Sequence, residues 1–516
     1  VDSVLIFDFG SQTAQLISRR LRDSGVYTEI VPGNSAVTDV DLTGVKGLIF
    51  SGSPFSVYNA DAPQVDEEIY NLKLPILGIC YGTHRIIVDH GGKVDKRESS
   101  EFGRAKVSIK LPENSLVKGI PLSFTSWMSH GDSILELPPG FTEIASSENF
   151  PAIIYSEDKR FYGLQFHPEV THTEYGTNFL ENFACSICGA RKQWSMDAFM
   201  EEKEGELQRR IGEKNVLLLV SGGVDSTVTA AILLNAIDPE QLHLMYIDTG
   251  LMRRGETEEV RGALTRLGAK NLYIINAEDE FLTALSDVED PEEKRRIIGD
   301  LFITIQEREI RKLGVEDAFL AQGTLYTDLI ESGKGVGKNA KVIKSHHNVR
   351  SPLVEEKRNR GLVVEPLDRL YKDEVREVGR AAGLAESVVS RHPFPGPGLA
   401  VRILGEVTKE KCDILREADR IYLEELKKRE LYDKIWQAFC VLLPVRSVGV
   451  TGDVRNYGWV VVLRAVVSHD GMTADVFPFR TEHLLEISAR ITNEVGKVGR
   501  VVYDVSSKPP ATIEWE

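Results

Sequence analysis

Short, continuous apolar runs alternate with amphipathic stretches through the first third of the chain. Residues 4–9, 45–50 and 75–79 are short, predominantly apolar runs, the pattern of strands buried on both faces. Residues 13–24 and 83–89 carry apolar side chains at helical spacing. Strands separated by helices predict a parallel sheet covered on both sides. Charge then crowds residues 197–210, which predicts a solvated helix or linker. A second series begins at Lys214, with strands at 216–220 and 242–247 and helices at 227–236 and 256–267. Further on, 331–344 is rich in Gly and Lys and predicts a loop, and 392–398 is broken by Pro and Gly. Strands at 447–450 and 459–467 and a helix at 482–495 predict a small α+β region. The fold class is α/β: two doubly wound, mostly parallel-sheet domains (1–190 and 191–395) plus a small C-terminal α+β domain (396–516). The apolar run 460–467 has to be covered on both faces.

Composition narrows the function. The 516 residues carry 62 Lys+Arg against 78 Asp+Glu, a net charge of −16. That balance disfavours nonspecific attraction to nucleic acid or an anionic membrane. No stretch has the length of apolar sequence that spans a bilayer, and the first residues lack a basic segment and a cleavage site. A cytoplasmic location is expected. Five cysteines (Cys80, Cys185, Cys188, Cys412 and Cys440), an odd and sparse set, argue against a disulfide framework. Cys185 and Cys188 form one C-x-x-C with no second ligand pair at zinc spacing, so the expected reading is two helix-borne thiols near a domain edge.

Two segments carry chemistry. Gly78-Ile79-Cys80-Tyr81-Gly82 places a cysteine between an apolar strand and a helical segment, the arrangement of a nucleophile elbow. The helix N-terminus there favours a thiolate. His167 and Glu169, in Gln165-Phe166-His167-Pro168-Glu169, stand two residues apart at a strand end and share a face. The carboxylate would orient the ring, and the ring would take the thiol proton. Gly52 and Ser53, after the strand 45–50, join Tyr81 as candidates for an oxyanion hole. The second segment, Ser221-Gly222-Gly223-Val224-Asp225-Ser226, runs from a strand into a helix and offers glycines, hydroxyls and a helix N-terminus to an anion. It lacks the lysine of a loop that transfers a γ-phosphate.

In order and spacing, Gly52-Ser53-Pro54, the Cys80 elbow and His167-Pro168-Glu169 resemble the class I glutamine amidotransferases. The resemblance implies Cys80 as nucleophile, His167 as base and then acid, and Glu169 as its orienter. Ser53 stands where that family usually has Gly, and Thr83-His84 where it has Met-Gln; the latter position is associated with holding glutamine. The 221–226 loop resembles that of ligases that cut ATP between its α- and β-phosphates, with Mg²⁺ as the implied cofactor and Asp225 a possible ligand. Four further segments (322–326, 343–349, 391–399 and 508–516) resemble the glutamine-hydrolysing GMP synthase family, so the resemblance covers essentially the whole chain. Thr249 stands where Asn is usual, and Arg350-Ser351-Pro352 where Gly-Gly-Leu is common. The family implies adenylation of XMP at its C2 oxygen, release of pyrophosphate, and displacement of AMP by ammonia. It also implies XMP contacts at Arg295, Gln437, Lys508 and Glu514, a lid over 331–344 that includes Lys344, and a homodimer paired through the C-terminal domain. The expected partners are glutamine, ATP and XMP, with no nucleic acid and no membrane. The same paired architecture in other amidotransferases, and a non-enzymatic sensor on this scaffold, are the rival readings.

Overall fold

The computed structural model describes residues 1–148, 150–331, 352–451, 454–468 and 473–516. They form two compact units, one of Val1–Phe199 with residues 327–331, the other of Met200–Tyr326 with residues 352–516. The 331–344 segment beyond Glu331, Lys344 included, lies outside the described residues, as does 343–349.

In the first unit, β1 (Ser3–Asp8), β2 (Tyr27–Pro32), β3 (Val45–Phe50) and β4 (Ile76–Ile79) precede β5 (Lys93–Ile109), β6 (Ser123–Glu136), β7 (Thr142–Ser146), β8 (Pro151–Ser156) and β9 (Phe161–Leu164). They form one sheet in the order β2-β1-β3-β4-β9-β8-β7-β5-β6. The five strands from β2 to β9 in that order are parallel, and the apolar runs of β1, β3 and β4 predict strands of this kind. Alternate residues of β1 feed two cores: Val4 and Ile6 pack in one, Leu5 and Phe7 in the other. The remaining strands pair antiparallel. Their sequences mix polar and charged residues with apolar ones, which is why no apolar run announces them.

The second unit holds two sheets. β10 (Val216–Leu219), β11 (Leu242–Asp248), β12 (Asn271–Asn276), β13 (Phe319–Ala321) and β14 (Val363–Val364) form a sheet in the order β12-β11-β10-β13-β14, parallel throughout. β15 (Gln437–Thr451), β16 (Val454–Val467), β17 (Asp475–Val476) and β18 (Val498–Tyr503) form the other, with β16 paired to all three neighbours. One hydrophobic core runs between them: Leu217 and Met245 of the first sheet share a cluster with Leu442 and Leu463 of the second. The segment 197–210 is an ordered helix, Met196–Ile211, with Met200, Leu207 and Ile211 buried.

The structure changes one expectation about β16. Its apolar run is already covered within the chain: Val461, Leu463 and Ala465 pack in the large core, while Val462 and Val466 pack with Phe439 and Ile513 on the other side. That run therefore calls for no second subunit. Cys185 and Cys188 are free thiols at a single π-helical turn, Asn182–Ile187, and burial pushes both up from the ordinary thiol value.

Candidate functional site

β4 ends at Ile79 and a helix begins at Tyr81, leaving Cys80 at the turn with φ 51° and ψ −106°. A side chain rarely adopts that backbone conformation, and the strain aims the thiol out of the sheet at the end of the parallel strands. The Cys80 N–H donates to Leu164 O of β9 at 2.7 Å, and the Gly82 N–H donates to Ser51 O at 3.1 Å. The elbow is thus fastened to both neighbouring strands. The chain beyond β9 carries His167, whose Nδ1 lies 2.8 Å from Glu169 Oε1, with the Glu169 side chain fully buried. Burial opposes charge on the ring, but hydrogen bonds to Cys80 and Glu169 outweigh it and push His167 up to about 10. A ring that holds its proton across neutral pH beside a thiol suits an acid for a leaving amine. Gly52 sits so close that a Cβ there would lie 3.1 Å from His167 Cε1 and 4.0 Å from Cys80 Cβ. Cys80 and His167 border a cavity of about 650 Å³ that also touches Ser53, Tyr81, His84 and Trp127. His84 is buried in the first turn of the helix, its Nε2 2.9 Å from Gln165 Oε1. Trp127 was not anticipated, because it comes from β6, a strand without an apolar signature.

In the second unit the 221–226 loop joins β10 to the helix Val224–Ala236. Gly222 has φ +81°, and a Cβ on it would lie 3.1 Å from both Glu256 Oε1 and a Val260 methyl. The Ser221 N–H donates to Ser226 Oγ at 3.2 Å, and Ser226 and Thr227 donate to Gly223 O. The loop is closed on itself, with the N-terminus of the helix at its mouth, which is a cradle for an anion. Asp225 pairs with Lys372 at 2.5 Å. Among the described residues, no cluster of three or more His, Cys, Asp or Glu side chains forms a metal site. Arg391, singled out only as part of a motif, donates to Gly222 O at 3.0 Å and to Glu256 Oε1 at 3.2 Å.

The four expected XMP contacts fall into three places. Lys508 borders a second cavity, of about 640 Å³, together with Arg376, Arg380, His392, Lys434 and Trp436. Glu514 spends both carboxylate oxygens on the buried Arg402, at 3.1 and 2.8 Å, and Gln437 donates to the same Glu514 Oε1 at 2.8 Å. Arg295 pairs with Glu292 on its own helix. Its neighbour Lys294, wholly buried, donates to Glu516 at 2.6 Å, so this helix and the 508–516 segment meet there.

Residues 5–187 match the class I glutamine amidotransferase family, and residues 424–515 match the GMP synthase C-terminal domain. A glutamine-hydrolysing GMP synthase of Aquifex aeolicus is 52% identical over 99% of each chain. The enzyme of that name from Lactobacillus acidophilus is 49% identical over 100% of this chain and 98% of its own. The one from Thermosipho melanesiensis is 49% identical over the whole of both.

Proposed function

The chain belongs to the glutamine-hydrolysing GMP synthase family, and we propose that two sites divide the work: Cys80, His167 and Glu169 release ammonia, and the 221–226 loop serves the ATP that activates XMP. The reaction converts XMP, ATP and glutamine to GMP. A purine carbonyl oxygen is a poor leaving group until it carries AMP, which is why the step needs ATP.

In the first half-reaction the Cys80 sulfur attacks the glutamine carboxamide carbon, and the C–N bond breaks as His167 protonates the departing ammonia. Water then cleaves the thioester, with His167 as base and glutamate as product. Gly52, Ser53 and Tyr81 hold the oxyanion. The observation that carries this reading is the His167–Glu169 contact of 2.8 Å beside a cysteine with positive φ. In the second half-reaction the XMP C2 oxygen attacks the α-phosphorus of ATP. Pyrophosphate leaves into the cradle formed by Ser221, Gly222, Gly223, Val224, Asp225 and Ser226. The hard oxygen donors there suit Mg²⁺, with Asp225 the candidate protein ligand, and a bound ion would offset the charge of the pyrophosphate. Ammonia attacks C2 and AMP leaves.

For XMP the candidate contacts are Arg295, Gln437, Lys508 and Glu514, a set supported by the Lys294–Glu516 and Gln437–Glu514 contacts and by the cavity at Lys508. A homodimer is also proposed. Its support is the outer part of the β15–β16 hairpin, where Val448, Val450 and Tyr457 share a face and are 50%, 73% and 64% exposed. A cytoplasmic location fits free thiols and nucleotide substrates.

The test offers XMP, ATP, Mg²⁺ and glutamine, and measures GMP, AMP and pyrophosphate; absence of all three overturns the reading. Cys80→Ala is expected to lose glutamine-driven synthesis and keep synthesis from added ammonium. Survival of both activities would remove Cys80 from the nucleophile's role.

A further inference from the structure

The helix Ala14–Asp23 begins after Thr13, a residue type that normally caps a helix by accepting a backbone N–H through its hydroxyl. Here Thr13 makes no such bond. Its Oγ1 instead donates to Glu169 Oε1 at 2.5 Å, across 156 residues of sequence. The same Oε1 receives His167 Nδ1. The hydroxyl has one proton, already given to Glu169, so Thr13 accepts from Ser11 Oγ at 2.9 Å. Ser11 is fixed in turn by its N–H donating to Asp8 Oδ1 at 2.9 Å, at the end of β1. Asp8 Oδ1 also receives Ser51 Oγ at 3.3 Å, next to the Gly52 loop. A single carboxylate at the end of the central strands therefore anchors both the loop beside Cys80 and the hydroxyl behind Glu169.

The need for that hydroxyl follows from burial. The Glu169 side chain is fully buried, and among the described residues no group donates to its Oε2. Among the described residues, His167 and Thr13 are its two side-chain donors, both on Oε1. A buried carboxylate with a single donor is poorly held and is free to turn its other oxygen to the ring.

We propose that Thr13 is a positioning residue of the glutaminase: its hydroxyl, given up as a helix cap, fixes the Glu169 carboxylate so that Oε1 faces His167. The proposal rests on the reading of Cys80, His167 and Glu169 as the triad, which Cys80→Ala tests separately through the loss of glutamine hydrolysis. The charged and titratable groups around the pair are Cys80 from the elbow and Arg20, which donates to Glu169 O at 3.2 Å from the helix Ala14–Asp23.

Thr13→Val keeps the shape and removes the donor. Glutamine-driven kcat is expected to fall about 10- to 100-fold, the range for a lost hydrogen bond to a charged group, with KM for glutamine little changed. Thr13→Ser should recover most of the rate, and ammonium-driven synthesis should be unaffected in both variants. The alkaline limb of glutamine hydrolysis should move to lower pH in Thr13→Val, because a misplaced Glu169 no longer holds the proton on His167. Loss of mere packing would not move that limb. A Thr13→Val rate within twofold of wild type, a change confined to KM, an unmoved alkaline limb, or equal loss in Thr13→Ser would each overturn the proposal. So would a parallel loss of ammonium-driven synthesis.

Discussion

Glu256 is buried, burial pushes its carboxyl up, and the Arg391 guanidinium beside it opposes that push. Arg391 also holds Gly222 O, so one side chain neutralises a buried acid and fixes the back of the ATP loop. Arg391→Met is expected to destabilise the second unit by about 3 kcal/mol, the scale for a buried charge left without its partner. It should also raise KM for ATP, checked by denaturant unfolding and by pyrophosphate exchange. His392, next along, behaves differently. It stacks on Tyr432 with ring centres 3.8 Å apart and accepts the Ala438 N–H at Nδ1, so its proton sits on Nε2, facing Tyr432 O. Burial lowers His392 to about 4. A histidine held neutral in the fold gives stability that is present above the unfolded value near 6.5 and is lost as pH falls from there towards 4. The loss approaches ~3 kcal/mol. Urea midpoints at pH 7 and pH 4.5 should show it, and His392→Asn should flatten the difference. His167 and Glu169 were legible in sequence because they stand two positions apart. Thr13 and Arg391 were not, because their partners lie 156 and 169 residues away and only folding joins them.

The element that governs ATP chemistry is the strand–loop–helix of β10, residues 221–226 and Val224–Ala236. Its legibility came from punctuation: an apolar run, two glycines, then helix formers. Gly222→Ala meets both a φ of +81° and the Glu256 and Val260 side chains at 3.1 Å. The variant should lose about 1–2 kcal/mol of stability and most pyrophosphate exchange. Circular dichroism melts and the exchange assay check the two effects. The parallel strands β1, β3, β4, β10 and β11 were readable for the same reason, since burial on both faces removes most polar residues. β5 and β6 were not, because their mixed residues suit an antiparallel pair at the end of the sheet opposite β2. That blind spot hid Trp127, which β6 carries into the cavity at Cys80.

For the molecule as a whole, the exposed apolar face of the β15–β16 hairpin predicts association. Light scattering should give about twice the 57.5 kDa chain mass. Val450→Lys combined with Tyr457→Lys should bring it to one chain mass, with unit folding intact by circular dichroism. β16 itself has a consequence for how the chain is made. Its parallel partner β18 and the Ile513 that covers one face lie beyond it in sequence, so a ribosome delivers them later. During that interval β16, with its apolar stretch Val460–Leu463, has an open edge and an incompletely covered face, the condition under which nascent chains aggregate or engage chaperones. Chains halted after residue 495 should therefore sediment with chaperone or aggregate, and completed chains should not.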